Sequence, residues 1–454
     1  MAYSPHTPED RARMLAAIGV ASVDELFADI PESLRSSGLS LPAPDSEAEL
    51  THRLQALAQR NRVDLVSFLG AGAYRHFIPP VVDQMLLRSE FYTAYTPYQP
   101  EISQGTLQTI YEYQSLMAEL TGLDVVSASH YDGATATAEA ALMTCRATSR
   151  DRVLVSRSVH PHYRQTICTY FAGASLVSDE IPLVADGPAA GTTDLAALER
   201  MLADAEHPVA GVVAANPSFL GLLEPMAEIG RLAHAAGALF VSVVEPVSLA
   251  VLATPGEYRA DIAAGDGQPL GIPLAYGGPY LGILACREAL VRGIPGRLVG
   301  MTTDIDGKRA FVMTLRAREQ DIRREKASSN ICTNQALCAL SASIYVAALG
   351  PHGLRDVAAL GAARAAELEA ALAAAGVPRL HSGPYLNEFA VRADDAAGVH
   401  ARLLERGILA GLPLARVEPG DPALRDALLV CATEVTTAAE IAAFAGAIGE
   451  EVAR

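Results

Sequence analysis

Several side chains that could bind a cofactor lie directly after predicted buried strands. Gly133 and Thr135 open a predicted helix, whose free N–H groups and positive dipole end can hold a phosphate. His160 follows another strand and could stack on a planar ring, and Glu245 follows a third, where an acid could pair with a pyridine nitrogen. Each position also has an ordinary interpretation, namely a strand-to-helix turn, a satisfied polar group or a helix cap.

The lysines of the chain do not complete this set. A phosphate site, a stacking ring and an acid are typical of pyridoxal-phosphate (PLP) enzymes, which hold the cofactor on a lysine amine. The chain has only Lys308, in a predicted hairpin turn, and Lys326, in a charged segment. A Schiff-base lysine needs desolvation, which neither position offers. We therefore expect a partner to carry the active site that this chain completes.

Two further segments lack the regular period of a buried element. Residues 91–105 hold three tyrosines within seven residues and two prolines, which predicts a rigid loop that lines a pocket or an interface. Residues 315–334 are densely charged, with possible helical ion pairs between Glu319 and Arg323 and between Asp321 and Arg324. This second segment is either a solvated helix face or one that docks a partner or orients a substrate.

Strands and helices alternate through most of the chain, which predicts a mostly parallel sheet covered on both faces. The predicted strands are 125–128, 152–156, 211–215, 239–244, 385–392 and 428–431, and the predicted helices are 104–121, 134–148, 194–204, 224–236 and 333–349. Thr7 and Thr437 are predicted helix caps, and a further helix is expected from Ser22 to before Pro31. We expect a helical arm over 1–64, a large domain over 65–330, and a long connecting helix with a smaller C-terminal α/β domain over 331–454.

Bulk composition restricts the class of protein. The net charge of −17 disfavours nucleic acid and anionic membranes as partners. The most apolar stretch, 239–254, is broken by Glu245 and Pro246 and is shorter than a membrane span needs. No leader of the secretory type opens the sequence, and the six cysteines form no C-x-x-C pair. A reduced cytoplasm without metal sites fits this composition.

The segments 91–105 and 315–334 also carry a resemblance. Together with 67–70, 131–135, 271–274 and 277–282, they resemble the first (alpha) subunit of glycine dehydrogenase (decarboxylating) in its two-chain form, the P-protein of the glycine cleavage system. The resemblance runs from the first helix to the end and is densest from about 65 to 350. It implies an aspartate-aminotransferase-like fold, that of fold type I PLP enzymes, with a large domain of mostly parallel sheet and a smaller C-terminal domain.

The resemblance also implies the reaction and the assembly. Such an enzyme, a glycine dehydrogenase (aminomethyl-transferring), decarboxylates glycine and passes the aminomethyl group to the lipoyl arm of the H-protein. Subunit 2 (beta) carries the PLP lysine in an α₂β₂ assembly. The residues Gly267 and Gln268 fall near the lysine position, and neither can form an imine. The cofactor-site residues of this chain, Gly133, Thr135, His160 and Glu245, are then relics or shape an interface.

Within this family, we expect Tyr95, Tyr98, Gln99 and Glu101 to reach across the interface and to line the pocket, with positioning roles. Arg316 and Arg318 are candidates for orienting a carboxylate or docking the H-protein, and Cys332 is expected to be an inert thiol. The chain departs from the family pattern at Asp321, commonly histidine, and at Glu245, commonly aspartate.

Two other interpretations remain open. The chain could be a scaffold that only stabilises subunit 2, without a role in the pocket. It could instead be a stand-alone PLP enzyme that uses Lys308 or Lys326.

Overall fold

The computed structural model describes residues 5–36, 38–329, 331 and 334–453, which separate into two compact units, 1–63 and 64–454. The first unit contains the helices α1 (Pro8–Ile18) and α2 (Glu47–Ala58) and two 3₁₀ turns, Asp24–Phe27 and Glu32–Leu34. The predicted cap at Thr7 is confirmed, because its Oγ1 accepts the N–H of Asp10 at 3.2 Å and the Asp10 carboxylate accepts the N–H of Thr7 at 3.0 Å.

The helix expected from Ser22 to before Pro31 is reduced to the 3₁₀ turn Asp24–Phe27. The Arg35 guanidinium lies over the end of this segment. It donates hydrogen bonds to the carbonyl oxygens of Phe27 at 2.7 Å and Ile30 at 2.9 Å, two of the last carbonyls before Pro31, which a helix ending there would leave without partners.

The second unit is built on a seven-stranded sheet among the residues that the structure describes. Its strands are β2 (Val125–Val126), β3 (Arg152–Ser156), β4 (Val177–Ile181), β5 (Val209–Asn216), β6 (Leu239–Val244), β7 (Ile262–Asp266) and β8 (Gly282–Cys286), and β1 (Val66–Ser67) lies outside it. The order is β2-β8-β7-β6-β5-β3-β4. Strands β4, β3, β5, β6 and β7 are parallel, and β8 runs antiparallel to β7 and β2. The predicted, mostly parallel sheet is confirmed.

Helices cover both faces of this sheet. The helices in this part of the chain are α3 (Pro80–Leu86), α4 (Ser89–Tyr92), α5 (Gln104–Thr121), α6 (Gly133–Thr148), α7 (Pro161–Ala174), α8 (Leu195–Leu202) and α9 (Met226–Ala235). Val153 and Val155 of β3 share a core with α6 and α7, whereas Leu154 between them packs with α9 on the opposite face. This alternation is why β3 is apolar throughout, and it brings the carboxyl ends of the parallel strands to one edge.

The rest of the second unit follows the sheet. It comprises β9 (Leu298–Thr303), β10 (Arg309–Thr314), α10 (Gln320–Arg323), α11 (Ala336–Ala374), β11 (Glu388–Arg392), α12 (Ala396–Glu405), β12 (Ile408–Leu409), β13 (Leu412–Pro413), β14 (Ala427–Cys431) and α13 (Ala438–Val452). Strands β9 and β10 form the hairpin that was expected around Lys308. Strands β11, β14 and β13 form an antiparallel sheet, and β1 pairs in parallel with β12. The predicted cap at Thr437 is confirmed, since Thr437 and Glu440 form a capping box that opens α13.

By length and composition, α11 is the one helix in the described part of the chain that could span a membrane. Tyr345 in its first half is fully buried against the large sheet, and Leu368 in its second half is fully buried in the C-terminal core. Gly350, with a φ of 62°, and Pro351 interrupt it, where the predicted helix 333–349 was expected to end. These features are those of a core helix with a break.

Candidate functional site

The first turn of α6 lies at the carboxyl edge of the sheet, where the predicted phosphate site was placed. Asp132 caps this helix, since its carboxylate accepts the N–H of Thr135 at 2.8 Å. The carboxylate of Asp266, at the end of β7, accepts the N–H of Gly133 at 2.9 Å and that of Gln268 at 2.9 Å. Burial raises the pKa of Asp266 to about 6. The helix start that would bind an anion is therefore filled by a carboxylate of the chain itself.

Glu245 uses both of its carboxylate oxygens on the local backbone. Oε1 accepts the N–H of Val247 at 3.0 Å, and Oε2 accepts that of Ser248 at 2.6 Å. Burial raises the pKa of Glu245, although the nearby His76 opposes the shift. These contacts make Glu245 a cap of the turn after β6, which is the ordinary alternative to pairing with a pyridine nitrogen.

His160 is held by three neighbours. Its Nε2 lies 3.1 Å from the carbonyl oxygen of Ala71, its Nδ1 accepts the N–H of His162 at 3.1 Å, and its ring meets the Phe219 ring edge-on at 4.7 Å. These contacts require a neutral ring with the proton on Nε2. Burial also favours the neutral ring, because it lowers the pKa of His160 to about 4.

The expected lysine position follows β7. Gln268 there is only 2% exposed. Its Nε2 donates to the carbonyl oxygens of Tyr74 at 3.0 Å and Ile272 at 2.8 Å, and its Oε1 accepts the N–H of Tyr74 at 2.9 Å. Lys308 at the hairpin tip and Lys326 are both exposed, as expected. No lysine in the described residues lies at this edge of the sheet.

The space between these residues decides whether a cofactor fits. A cavity of about 70 Å³ lies among Tyr74, His160, Phe219, Glu245 and Asp266. That volume is far below the roughly 300 Å³ at which ligand pockets begin. With the anion position filled, the acid capped and no lysine nearby, the residues of this chain do not fit PLP.

The tyrosine loop, residues 93–103, lies between α4 and α5. Gln104 anchors its end, because its amide group exchanges hydrogen bonds with the backbone N–H and carbonyl of Phe311 at 2.8 and 2.9 Å and also donates to the carbonyl oxygen of Pro100 at 2.7 Å. The side chain of Tyr95 is 77% exposed and that of Tyr98 is 44% exposed. Gln99 and Glu101 are also exposed. The loop is thus fixed at its base and presents its polar side chains outward.

Two larger cavities border this loop. One of about 250 Å³ lies between the loop, α5 and the start of α11, with Tyr95 in its wall. A wider, more open one of about 650 Å³ lies against the charged segment, with Tyr98, Glu319 and Asp321 in its wall. Gln99 and Glu101 line neither cavity. The structure therefore brings Tyr95 and Tyr98 to cavities and leaves the other two predicted site residues on the surface.

The charged segment is not one helix. It consists of the 3₁₀ turn Arg316–Arg318, α10 and the 3₁₀ turn Arg324–Lys326, and the φ of 53° at Arg324 breaks the helical path. The predicted pairs of Glu319 with Arg323 and of Asp321 with Arg324 are wrong, because Arg324 leaves the helical path and both acids face other arginines. Across the described residues, Glu319 instead lies 3.7 Å from Arg297, and Asp321 pairs with Arg316 at 2.7 Å.

The two arginines proposed for a carboxylate or for docking differ in their contacts. Arg318 donates to the carbonyl oxygens of Gly296 at 2.9 Å and Leu315 at 3.1 Å, so it stabilises the backbone. Arg316 lies with its guanidinium 5.7 Å from the centre of the Tyr98 ring. The remaining candidate of the segment, Cys332, lies outside the described residues.

Three site residues escaped the sequence analysis as individual candidates. Asp266 had a usable signal, since it is an acid at the carboxyl end of a strand. Tyr74 and Arg297 had none, because their partners Gln268 and Tyr98 lie about 200 residues away in sequence.

The fold is shared with distant proteins of known structure. A cysteine desulfurase from Thermococcus onnurineus NA1 matches 91% of this chain and 100% of its own with a TM-score of 0.63, and a sphingosine-1-phosphate lyase from Burkholderia pseudomallei K96243 matches 93% and 94% with a TM-score of 0.65. Both are 16% identical to this chain, so they speak for the fold alone. The predicted aspartate-aminotransferase-like fold class, that of fold type I PLP enzymes, is confirmed.

Nearer relatives define the family. The family model for the glycine cleavage system P-protein matches residues 1–447. The "probable glycine dehydrogenase (decarboxylating) subunit 1" of Moorella thermoacetica is 55% identical over 451 residues, which is 99% of each chain, and that of Geobacillus kaustophilus is 50% identical over 99% of this chain and 98% of its own. A crystal structure of an inhibitor-bound glycine decarboxylase (P-protein) of the glycine cleavage system is 44% identical, with a TM-score of 0.90 over 99% of this chain and 100% of its own. The chain belongs to the glycine cleavage system P-protein family.

Proposed function

We propose that this chain is the subunit of a two-subunit glycine dehydrogenase (decarboxylating) that lacks the cofactor lysine. The family match, and the name "subunit 1" of the relatives that it matches over their full length, support this proposal. The observation that carries it is Gln268, a buried amide at the strand end where the cofactor lysine is expected, with its hydrogen bonds already made to Tyr74 and Ile272.

On this proposal the second subunit holds PLP, and the assembly is α₂β₂. Together the subunits decarboxylate glycine and transfer the aminomethyl group to the lipoyl arm of the H-protein. The small cavity at the carboxyl edge of the sheet and the internal carboxylate at the start of α6 support placing the cofactor on the partner. The net charge of −17 disfavours nucleic acid and anionic membranes as partners, and six cysteines without a C-x-x-C pair fit a location in the reduced cytoplasm.

The tyrosine loop is the part of this chain that contributes to the reaction. Tyr95, Tyr98, Gln99 and Glu101 reach across the subunit interface and line the partner's pocket, where they position the substrate and exclude water. The exposure of all four side chains supports this role, since an exposed aromatic and polar loop with an anchored base is suited to contact another chain.

Borohydride trapping tests the cofactor assignment. The purified chain is mixed with PLP, with and without subunit 2, then reduced with borohydride and analysed by mass. We expect a stoichiometric reduced adduct on subunit 2 and none on this chain. A stoichiometric adduct at Lys308 or Lys326 would make this chain a PLP enzyme in its own right and would overturn the proposal.

A tyrosine variant separates a pocket role from the scaffold alternative. Tyr95→Phe removes one hydroxyl from the loop, and Tyr276→Phe removes one from another exposed tyrosine, outside the loop. We expect Tyr95→Phe to lower turnover per assembled enzyme or to raise the KM for glycine, and Tyr276→Phe to change neither. If both variants match the parent in turnover and KM, the loop has only a scaffold role.

A further inference from the structure

Arg297 lies directly before β9 and is only 7% exposed. Its Nη2 donates to the hydroxyl of Tyr98 at 3.1 Å, and its Nη1 donates to the hydroxyl of Thr96 at 3.4 Å. The guanidinium also lies 5.3 Å from the centre of the Tyr98 ring, within cation–π range. A single buried side chain therefore holds two residues of the tyrosine loop.

The surroundings of Arg297 fix its own direction. Its Nε lies 3.7 Å from Oε2 of Glu319, and its backbone carbonyl accepts the N–H of Ala128 at 2.8 Å. Burial raises the pKa of Glu319, and the positive charge of Arg297 opposes that shift. The residue is thus fixed by its backbone next to the large sheet and by an acid of the charged segment.

Arg297 also lies between two cavities and lines both of them. It lines the cavity of about 250 Å³ beside Tyr95 and the cavity of about 650 Å³ beside Tyr98. On the second side, Arg316 lies 5.7 Å from the same Tyr98 ring and is paired with Asp321. Movement of Arg297 would therefore change the loop and both cavities together.

We propose that Arg297 is the positioning residue of the tyrosine loop, which holds Tyr98 and Thr96 so that Tyr95 faces the second subunit in one fixed arrangement. This inference rests on the function proposed above, because the loop matters to the reaction only if it lines the partner's pocket. The planar guanidinium is required, since it bonds two hydroxyls while facing a ring, whereas a lysine supplies only a point charge.

The isolated chain gives a direct readout of loop position. It contains no tryptophan, so Tyr92→Trp introduces a single tryptophan, which can be excited selectively, beside the loop, where residue 92 lines the cavity of about 250 Å³. In this background we expect Arg297→Gln and Arg297→Lys to shift the emission to the red and to lower its anisotropy. Arg309→Lys is the matched control, because Arg309 also faces a ring, that of Phe311 at 5.7 Å, outside the loop.

Chemical rescue separates loop positioning from a general loss of structure. In Arg297→Ala, guanidinium ion at non-denaturing concentration should enter the space left beside the cavities and restore the emission and anisotropy, whereas urea at the same concentration should not. Unchanged emission in a folded Arg297→Gln chain, or equal effects of guanidinium and urea, would overturn the inference.

Turnover of the assembled enzyme then distinguishes the two proposals. We expect Arg297→Gln to lower kcat on the order of 10- to 100-fold, as for a misplaced positioning group, with unchanged assembly and with partial recovery in guanidinium. If the emission shifts and guanidinium restores it while turnover stays at the parent level, Arg297 still positions the loop. The loop then has no part in the reaction, and the proposed function of the loop fails.

Discussion

The carboxylate of Asp266 lies 2.9 Å from the backbone nitrogen of Gly133 and accepts its hydrogen bond, although the two residues are 133 positions apart. The helix start that could bind an external anion is thus occupied from within the chain. Burial disfavours the charged form of this carboxylate and raises the pKa of Asp266 to about 6.

Shortening this side chain should open the anion position. In Asp266→Ser the N–H of Gly133 loses its internal partner, so we expect inorganic phosphate to raise the thermal midpoint of the variant and to leave the parent unchanged. Phosphate at ten times its Kd would add about 1.4 kcal/mol. Asp194→Ser is the control, since Asp194 also bonds a helix-start N–H, that of Ala197 in α8 at 2.9 Å. Equal phosphate effects on parent and variant would contradict the expectation.

A lysine at position 268 should not recreate a cofactor site. Lysine can donate hydrogen bonds but cannot accept one, so Gln268→Lys leaves the buried N–H of Tyr74 unpaired. We expect a loss of about 2–4 kcal/mol in the free energy of unfolding by urea, and no borohydride-trapped PLP adduct. Gln165→Lys, at an exposed position on α7, should unfold like the parent. A stoichiometric adduct at residue 268 would show that the cavity admits the cofactor after all.

Glu388 makes stability depend on pH. It accepts the N–H of Ala71 at 2.6 Å and the hydroxyl of Tyr74 at 2.8 Å, while burial, aided by the charge of Glu245, raises the pKa of its carboxyl to about 7 from an ordinary 4.5. A raised carboxyl pKa means that the folded chain binds this proton more tightly. The contribution to stability is therefore complete below about pH 4.5 and is lost as the pH rises to about 7.

Glu388→Gln removes this titration and keeps an acceptor for Ala71. We expect its free energy of unfolding to fall less steeply than that of the parent between about pH 4.5 and 7. A slope should remain, because burial also raises the pKa of Glu224 to about 7. Denaturant titrations at several pH values measure the slopes, with the exposed Glu257→Gln as control. A parent-like slope would place the proton uptake elsewhere.

Phe444 of α13 should be a main contributor to the C-terminal core. Its ring stacks on that of Phe68 at 4.4 Å, and both side chains are fully buried. Phe444→Ala leaves a cavity there, so we expect a loss of about 3–5 kcal/mol in the free energy of unfolding. Phe77→Ala removes an exposed ring and should cost far less. Similar losses in the two variants would contradict this role for Phe444.

Local patterns predicted the regular elements well. The strands Arg152–Ser156 and Leu239–Val244 and the helix Gln104–Thr121 match their predicted bounds, because apolar runs and amphipathic periods are read within a few residues. Capping followed the same rule at Thr7 and Thr437. The predicted strand 385–392 begins only at Glu388, since Tyr385 forms an isolated bridge to Leu222 instead.

The contacts of the site were less accessible to sequence reasoning. Charge spacing predicted helical pairs in residues 315–334, but the positive φ of Arg324 ends the helix, and Glu319 faces Arg297. The hydrogen bond between Arg297 and Tyr98 joins residues 199 positions apart, so no local sequence pattern predicts it. Family resemblance located the tyrosine loop, whereas its anchors became visible only in three dimensions.

The internal pairing of Asp266 with Gly133 also bears on how this chain folds in the cell. The start of α6 finds its negative partner within the chain, so it needs no bound small molecule to be stabilised. We therefore expect this chain to fold at the same rate whether the vitamin-derived cofactor is plentiful or scarce. If the second subunit holds the cofactor, as proposed, cells under vitamin limitation would accumulate finished copies of this subunit, and the maturation of its partner would set the amount of working enzyme.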